Sequence, residues 1–274
     1  MFTEFTCATV SIDAGIAEVT LAPTGKANRM GPAYWSEMPK LFAALDADES
    51  VRVVVLTGAG EHFSFGLDLA AMAGELMGLL QPEGGAKARQ QLLATIRRMQ
   101  EANTAVARCR KPVIAAVSGW CIGGGVDLIT ACDVRLASAD AKFSVREVKL
   151  AMVADVGTLA RLPAIVGQGV ARELALTGDD FDAARALRIG LVNEVLPSKA
   201  ELLMHARAMA ARMAKNSPLV LGGIKEVMNA QSEATARESL ATVALWNSAF
   251  LPSKDLLEAM GAFLEKREPT FTGE

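Results

Sequence analysis

The chain is 274 residues long, 51% apolar and only 5% aromatic, with a formal net charge of −3 and interspersed acids and bases. Such a chain buries a substantial core, here of Ala, Val, Leu, Ile and Met, in one large domain or one domain with a helical appendage. The charge balance argues against nucleic acid as a partner, and no window reaches the ~18 apolar residues of a membrane span.

In chain order, residues 8–12 and 16–21 read as an antiparallel pair around Asp13-Ala14-Gly15. Residues 32–45 carry helical spacing at Tyr34/Trp35, Met38, Leu41/Phe42 and Leu45. Residues 51–56 form an apolar, β-branched run that ends at Thr57-Gly58-Ala59-Gly60, the pattern of a buried parallel strand. A helix over 68–80 breaks at Gln81-Pro82-Glu83-Gly84-Gly85, and a longer one over 87–108 leads to a second buried strand over 113–117. A glycine turn, a helix over 126–131 and a strand over 134–137 repeat the unit, so parallel strands with right-handed crossovers are expected. From Val156 onward the pattern is helical apart from a strand-like 191–195, with helices at 199–215, 218–229, 234–250 and 253–267. An α/β core over 1–197 and a helical region over 198–274 follow, divided at Leu196-Pro197-Ser198.

The cysteines Cys7, Cys109, Cys121 and Cys132 form no CxxC pair and sit in apolar settings, which reads as reduced, buried thiols. His62 and His205 lack companions at metal-site spacing, so no metal is expected. The start has neither the apolar stretch of a signal peptide nor an Arg-rich transit character, and Phe271-Thr272-Gly273-Glu274 is no peroxisomal address. A cytoplasmic location is the resulting expectation.

Chemistry concentrates after the strands. Turns at 61–69 and 118–125 follow the carboxyl ends of two buried strands, where open α/β sheets bind ligands. Two backbone N–H groups aimed at one point there would form an oxyanion hole. Asp127 follows Gly123-Gly124-Gly125, Glu147 comes twenty residues later and Asp155 eight after that, all in apolar surroundings. Close buried carboxylates cannot all ionise, so such a group holds proton donor and acceptor together at neutral pH. Each residue also has a structural reading. Asp127 complements a helix dipole, Glu147 pairs with Arg146 or Lys149, and Asp155 N-caps the helix after Val156. Gly58-Ala59-Gly60 lacks the third glycine of a dinucleotide loop.

Phe63-Ser64-Phe65-Gly66-Leu67-Asp68-Leu69, Gly119-Trp120-Cys121-Ile122-Gly123-Gly124-Gly125-Val126-Asp127 and Ala131-Cys132-Asp133-Val134-Arg135 together resemble the crotonase (enoyl-CoA hydratase/isomerase) superfamily. The resemblance implies an α/β ββα-spiral core, a C-terminal helical trimerisation region and self-association as a trimer or dimer of trimers. It implies an acyl-CoA thioester substrate and no separate cofactor, coenzyme A being part of the substrate. Lys26-Ala27-Asn28-Arg29-Met30 is similar to the stretch that packs on the CoA adenine, and Lys266 lies where the family's terminal helix reaches the CoA phosphates. By resemblance, Lys26, Ala27, Arg29, Phe65, Gly66, Asp68, Gly125 and Lys266 bind substrate, while the amides of Leu67 and Gly124 form the oxyanion hole. Aspartate at 127 and acid at 155 depart from ordinary hydratases, and Asp127, Glu147 and Asp155 match the triad of Δ3,5-Δ2,4-dienoyl-CoA isomerases. That implies proton removal from C2 by Glu147 and delivery to C6 by Asp155, with Asp127 orienting the chain. A hydratase and a CoA- or RNA-binding relative with little catalysis are the alternatives. Trp246, Phe250, Met260 and Phe263 suit a face covered by a neighbouring subunit.

Overall fold

A computed structural model describes residues 2–21 and 28–274, so Lys26 and Ala27 lie outside the described residues. Strands β1 (Ala8–Asp13) and β2 (Ile16–Leu21) form a hairpin. Its two-residue turn holds Ala14 and Gly15 at φ 46° and 80°, the sign that suits the strand twist. Parallel strands β3 (Val53–Gly58), β4 (Val113–Val117), β6 (Val134–Ser138) and β9 (Glu194–Leu196) extend it in the order β1-β2-β3-β4-β6-β9. The apolar residues of β3 and β4 do not alternate with polar ones because both faces of the sheet are covered. One face sends Val54, Leu56, Ala115 and Val117 into the main core. The other packs Val53, Val55, Ile114 and Ala116 against Leu202, Ala206 and Ala210 of a helix over Lys199–Ala214.

A smaller sheet orders β5 (Trp120–Ile122), β7 (Lys142–Ser144) and β8 (Phe181–Asp182). These strands do not figure among the expected elements, because two or three residues are too short to display a period. Bridges Ser64↔Cys121 and Met30↔Leu67 stitch the loop after β3 to this sheet and to the segment that precedes Pro32.

Ten α-helices complete the described residues. They are α1 (Pro32–Ala47), α2 (Leu69–Leu76), α3 (Ala86–Arg108), α4 (Gly124–Thr130) and α5 (Thr158–Val166), then α6 (Gln168–Thr177), α7 (Ala183–Arg188), α8 (Lys199–Ala214), α9 (Pro218–Phe250) and α10 (Lys254–Glu265). Pro at the first turn starts α1, whose buried stripe is the expected Tyr34, Trp35, Met38, Leu41, Phe42 and Leu45. The two helices expected over 218–229 and 234–250 are one, α9, of 33 residues. The polar stretch Ala230-Gln231-Ser232-Glu233 resembles a break, but Glu233 is used mid-helix to clamp Arg161 of α5 at 2.8 Å. Farther along α9, Leu240 and Asn247 face inward against α3 and the loop before α5. No helix among the described residues is long and apolar enough to cross a membrane.

Candidate active site

The loop after β3 is tied down by two small polar side chains. Asn28, 3% exposed, donates from Nδ2 to the carbonyls of Ala59 and His62 at 2.9 and 2.8 Å. Ser64 Oγ donates to the Asn28 carbonyl at 2.7 Å and accepts the Gly66 N–H at 3.1 Å. Gly66 then takes φ +71°, with its Cα so close to the next turn that a Cβ would stand 2.7 Å from Ile122 O and 2.8 Å from Gly124 N. This close approach places the amide of Leu67 beside that of Gly124. Neither amide has a backbone acceptor among the described residues, Gly124 being the first residue of α4. Two donors side by side without a backbone acceptor have the geometry that an oxyanion hole requires. Gly66→Ala is expected to lower turnover by about 10²–10³, the loss from displacing an oxyanion donor. Steady-state kinetics against unchanged circular dichroism checks this.

The two amides open into a cleft of about 480 Å³. Its wall brings together Arg29, Phe65, Leu67, Asp68, Gly124 and Glu147 from the expected residues, and Asp68 also N-caps α2 by accepting the Ala71 N–H at 3.0 Å. Gly66 and Gly125 stand behind the wall. Gly125 packs closely on Ser64 and Cys121. Lys266 caps α10 in the left-handed region and is exposed, while its neighbour Arg267 lines the cleft. The left-handed cap at Lys266 turns the chain so that Arg267, and not Lys266, lies on the cleft wall of this chain. Arg146 and Lys149 also line the cleft, giving a rim of cations suited to phosphate groups around an apolar interior.

Of the three acids only Glu147 lines this cleft, and Asp127 and Asp155 stand near enough to it for their charges to act on one another. Gly123, at φ +51°, starts α4 so tightly that a Cβ would lie 3.1 Å from Glu147 Oε1. Glu147 opens a 3₁₀ turn over Glu147–Leu150 and lines both the main cleft and a second pocket of about 340 Å³. It forms no ion pair with Arg146 or Lys149, which pair instead with Asp180 and Asp179. Asp127 is fully buried on α4, and its Oδ1 accepts the N–H of Thr158 at the start of α5. Asp155 does not cap α5, since Gly157 holds that position. Its Oδ2 accepts instead from Asn247 Nδ2 on α9 at 2.8 Å. Asp127 Oδ2 and Glu147 Oε2 are buried without a hydrogen-bond partner among the described residues.

Charge cannot sit comfortably on all of these groups. Burial pushes Asp127 up to about 7, against the pull of the Thr158 donors, with repulsion from Asp155 adding to the rise. Burial and then the Asp127 charge push Glu147 up to about 8. Burial raises Asp155 to about 6, the Asn247 donor holding it lower than it would otherwise be. Neighbouring acids that titrate near neutrality are suited to hold a proton donor and a proton acceptor at the same pH. No cluster among the described residues has the make-up of a metal site.

A profile of the family described as Enoyl-CoA hydratase/isomerase matches residues 11–274. The chain is 43% identical over 259 residues to an Arabidopsis thaliana protein named Delta(3,5)-Delta(2,4)-dienoyl-CoA isomerase, peroxisomal, covering 94% of this chain and 93% of that one. It is 44% identical over 256 residues to the mitochondrial Delta(3,5)-Delta(2,4)-dienoyl-CoA isomerase of Dictyostelium discoideum, covering 93% and 87%. A solved enoyl-CoA hydratase from Mycobacterium avium subsp. paratuberculosis K-10 superposes with a TM-score of 0.83 at 27% identity, covering 97% of this chain and 98% of that one. The fold is thus the crotonase fold, as expected. The peroxisomal and mitochondrial names of these relatives overturn the expectation of a cytoplasmic location. That expectation rested on missing targeting signals, and a missing signal does not locate a protein. Matched from residue 11 to its last residue, with relatives above 40% identity over nearly its whole length, the chain belongs to the enoyl-CoA hydratase/isomerase family.

Proposed function

We propose that the protein is an isomerase that converts 3,5-dienoyl-CoA to 2,4-dienoyl-CoA. The observation that carries this reading is the third acid: Asp155 stands with Asp127 and Glu147 and is held by a side-chain amide rather than spent as a helix cap. Two relatives named for this reaction support it.

The thioester oxygen is taken to sit between the amides of Leu67 and Gly124. Glu147 removes a proton from C2, and the electron pair of that C–H bond enters the conjugated thioester, whose oxygen the two amides stabilise. Asp155 then protonates C6, the double bonds move to 2 and 4, and Asp155 is left ionised while Glu147 is neutral. Asp127, unable to leave the wall of α4, orients the chain and keeps its two neighbours from ionising together. The chain's own carboxyls thus move both protons, and coenzyme A enters only as part of the substrate, its phosphates meeting the cations of the cleft rim.

The free enzyme favours the proton on Glu147 over Asp155, because the former lies near 8 and the latter near 6. This is the state left by a forward turnover, so a proton must return to Asp155 before the next one. Forward catalysis needs Glu147 ionised and Asp155 neutral, the minor of the two singly protonated forms. A bell-shaped kcat/KM for a 3,5-dienoyl-CoA is expected, with limbs near 6 and 8. A profile flat from pH 5 to 9 would contradict the assignment.

Asp127 Oδ2 and Glu147 Oε2, both unpartnered, also suit a second reading in which two acids hold one water for hydration of a 2-enoyl-CoA. Trp246, Phe250 and Phe263 are 53%, 61% and 65% exposed, and we assign them to contacts with a neighbouring copy in a trimer or dimer of trimers. Sedimentation of the intact protein tests that assembly, and a monomer would refute it.

A further inference from the structure

We propose that Asn247 is a positioning residue that dictates which oxygen of Asp155 carries the proton delivered to the substrate, an inference that rests on the isomerase reading above. Asn247 is 2% exposed on the inward face of α9. Its Nδ2 donates to Val153 O and to Asp155 Oδ2, each at 2.8 Å. An amide nitrogen has two N–H groups, and here both are used on acceptors, so the amide cannot turn over without placing its oxygen against a carbonyl and a carboxylate. Asp155 Oδ2 is thereby committed as an acceptor. When Asp155 is neutral, its proton resides on Oδ1, the oxygen Asn247 leaves alone.

A second amide fixes the backbone beneath it. Gln100 of α3 donates from Nε2 to Asp155 O at 2.8 Å and to Leu240 O of α9 at 2.9 Å. Asp155 is thus strapped between α3 and α9 by two groups that do not titrate and so hold the acid without competing for its proton. The donor on Oδ2 also meets the negative charge that appears on Asp155 as the proton leaves, an interaction stronger in the transition state than before it. Glu147 and the oxyanion amides have no contact with this strap. Loss of Asn247 should therefore slow protonation at C6 and leave proton removal at C2 intact.

The test compares wild type, Asn247→Leu and, should the leucine variant not fold, Asn247→Ser on a 3,5-dienoyl-CoA, with protium or deuterium at C2 and in H₂O or D₂O. The carboxyl of Asp155 exchanges with solvent in the free enzyme, so D₂O reports on C6 protonation. The expected result is a fall in kcat of about 10- to 100-fold, the range of a lost hydrogen bond to a charged group, with KM within about twofold. The C2 deuterium effect should shrink toward unity while the D₂O effect grows. Unchanged kcat, or a fall with both isotope effects as in wild type, would overturn the role of Asn247. A wild-type protein inert toward the diene would instead overturn the isomerase reading beneath it.

Discussion

Glu147→Gln is expected to lower isomerisation by about 10²–10⁴, the usual contribution of a positioned acid–base group, and at the same time to stabilise the fold at pH 8. Both effects follow from one position. Burial beside Asp127 raises the Glu147 carboxyl from its ordinary 4.5 to about 8, so the folded state holds its proton more tightly than the unfolded chain does. With the folded pKa above the unfolded one, the stability tied to that proton is fully present below about pH 4.5 and drains away as pH rises toward 8. Glutamine resembles the neutral acid and loses nothing over that range. The variant should therefore gain about 2–4 kcal/mol relative to wild type at pH 8 and almost nothing at pH 4.5. Thermal melts at the two pH values check this. A variant less stable at pH 8 would mean that the ionised carboxylate is well solvated in the native pocket, contrary to the burial that raises its pKa.

Asp155→Asn is expected to lower isomerisation by about 10²–10⁴ while leaving acyl-CoA affinity within about twofold, because the cleft wall and the oxyanion amides do not include it. An amide at 155 has no carboxyl proton to give C6, yet it fills the same space. Its nitrogen would face Asn247 Nδ2, so the substituted side chain has to present its oxygen there, an orientation the fold allows. Had Asp155 been a helix cap, asparagine, which caps a helix as well as aspartate does, would spare both the fold and the rate. Gly157 occupies the cap position, and a fall in rate is expected instead. Full isomerisation by this variant would remove Asp155 from the chemistry.

How much of this was legible in the sequence depended on the distance over which each interaction acts. The runs of β3 and β4 and the stripe of α1 show themselves locally, through composition and period, and the structure follows them closely. The three acids were also visible as charge in apolar surroundings, and the two glycine turns announced the paired amides of Leu67 and Gly124. Cap, dipole and ion-pair readings of the acids competed on equal terms because each is a local pattern. What decides against them is tertiary: Asn247 lies 92 positions from Asp155, and no spacing rule connects them. The same holds for Glu233, whose pairing with Arg161 across 72 positions keeps α9 continuous where its sequence suggests a break. Lys266 and Arg267 differ by one left-handed residue, and sequence position alone could not choose between them.

In an isomerase of this kind, proton relocation outruns water addition in the pocket. The most direct measurement is kcat/KM of the wild-type protein for a 3,5-dienoyl-CoA and for a 2-enoyl-CoA of equal chain length, followed by the conjugated thioester absorbance. Conjugation of the diene at least about 100-fold faster than hydration of the enoyl ester is the expected result, a margin of roughly 2.7 kcal/mol in transition-state stabilisation. Rapid hydration with no gain of conjugation from the diene would contradict it and leave Asp155 without the role proposed here.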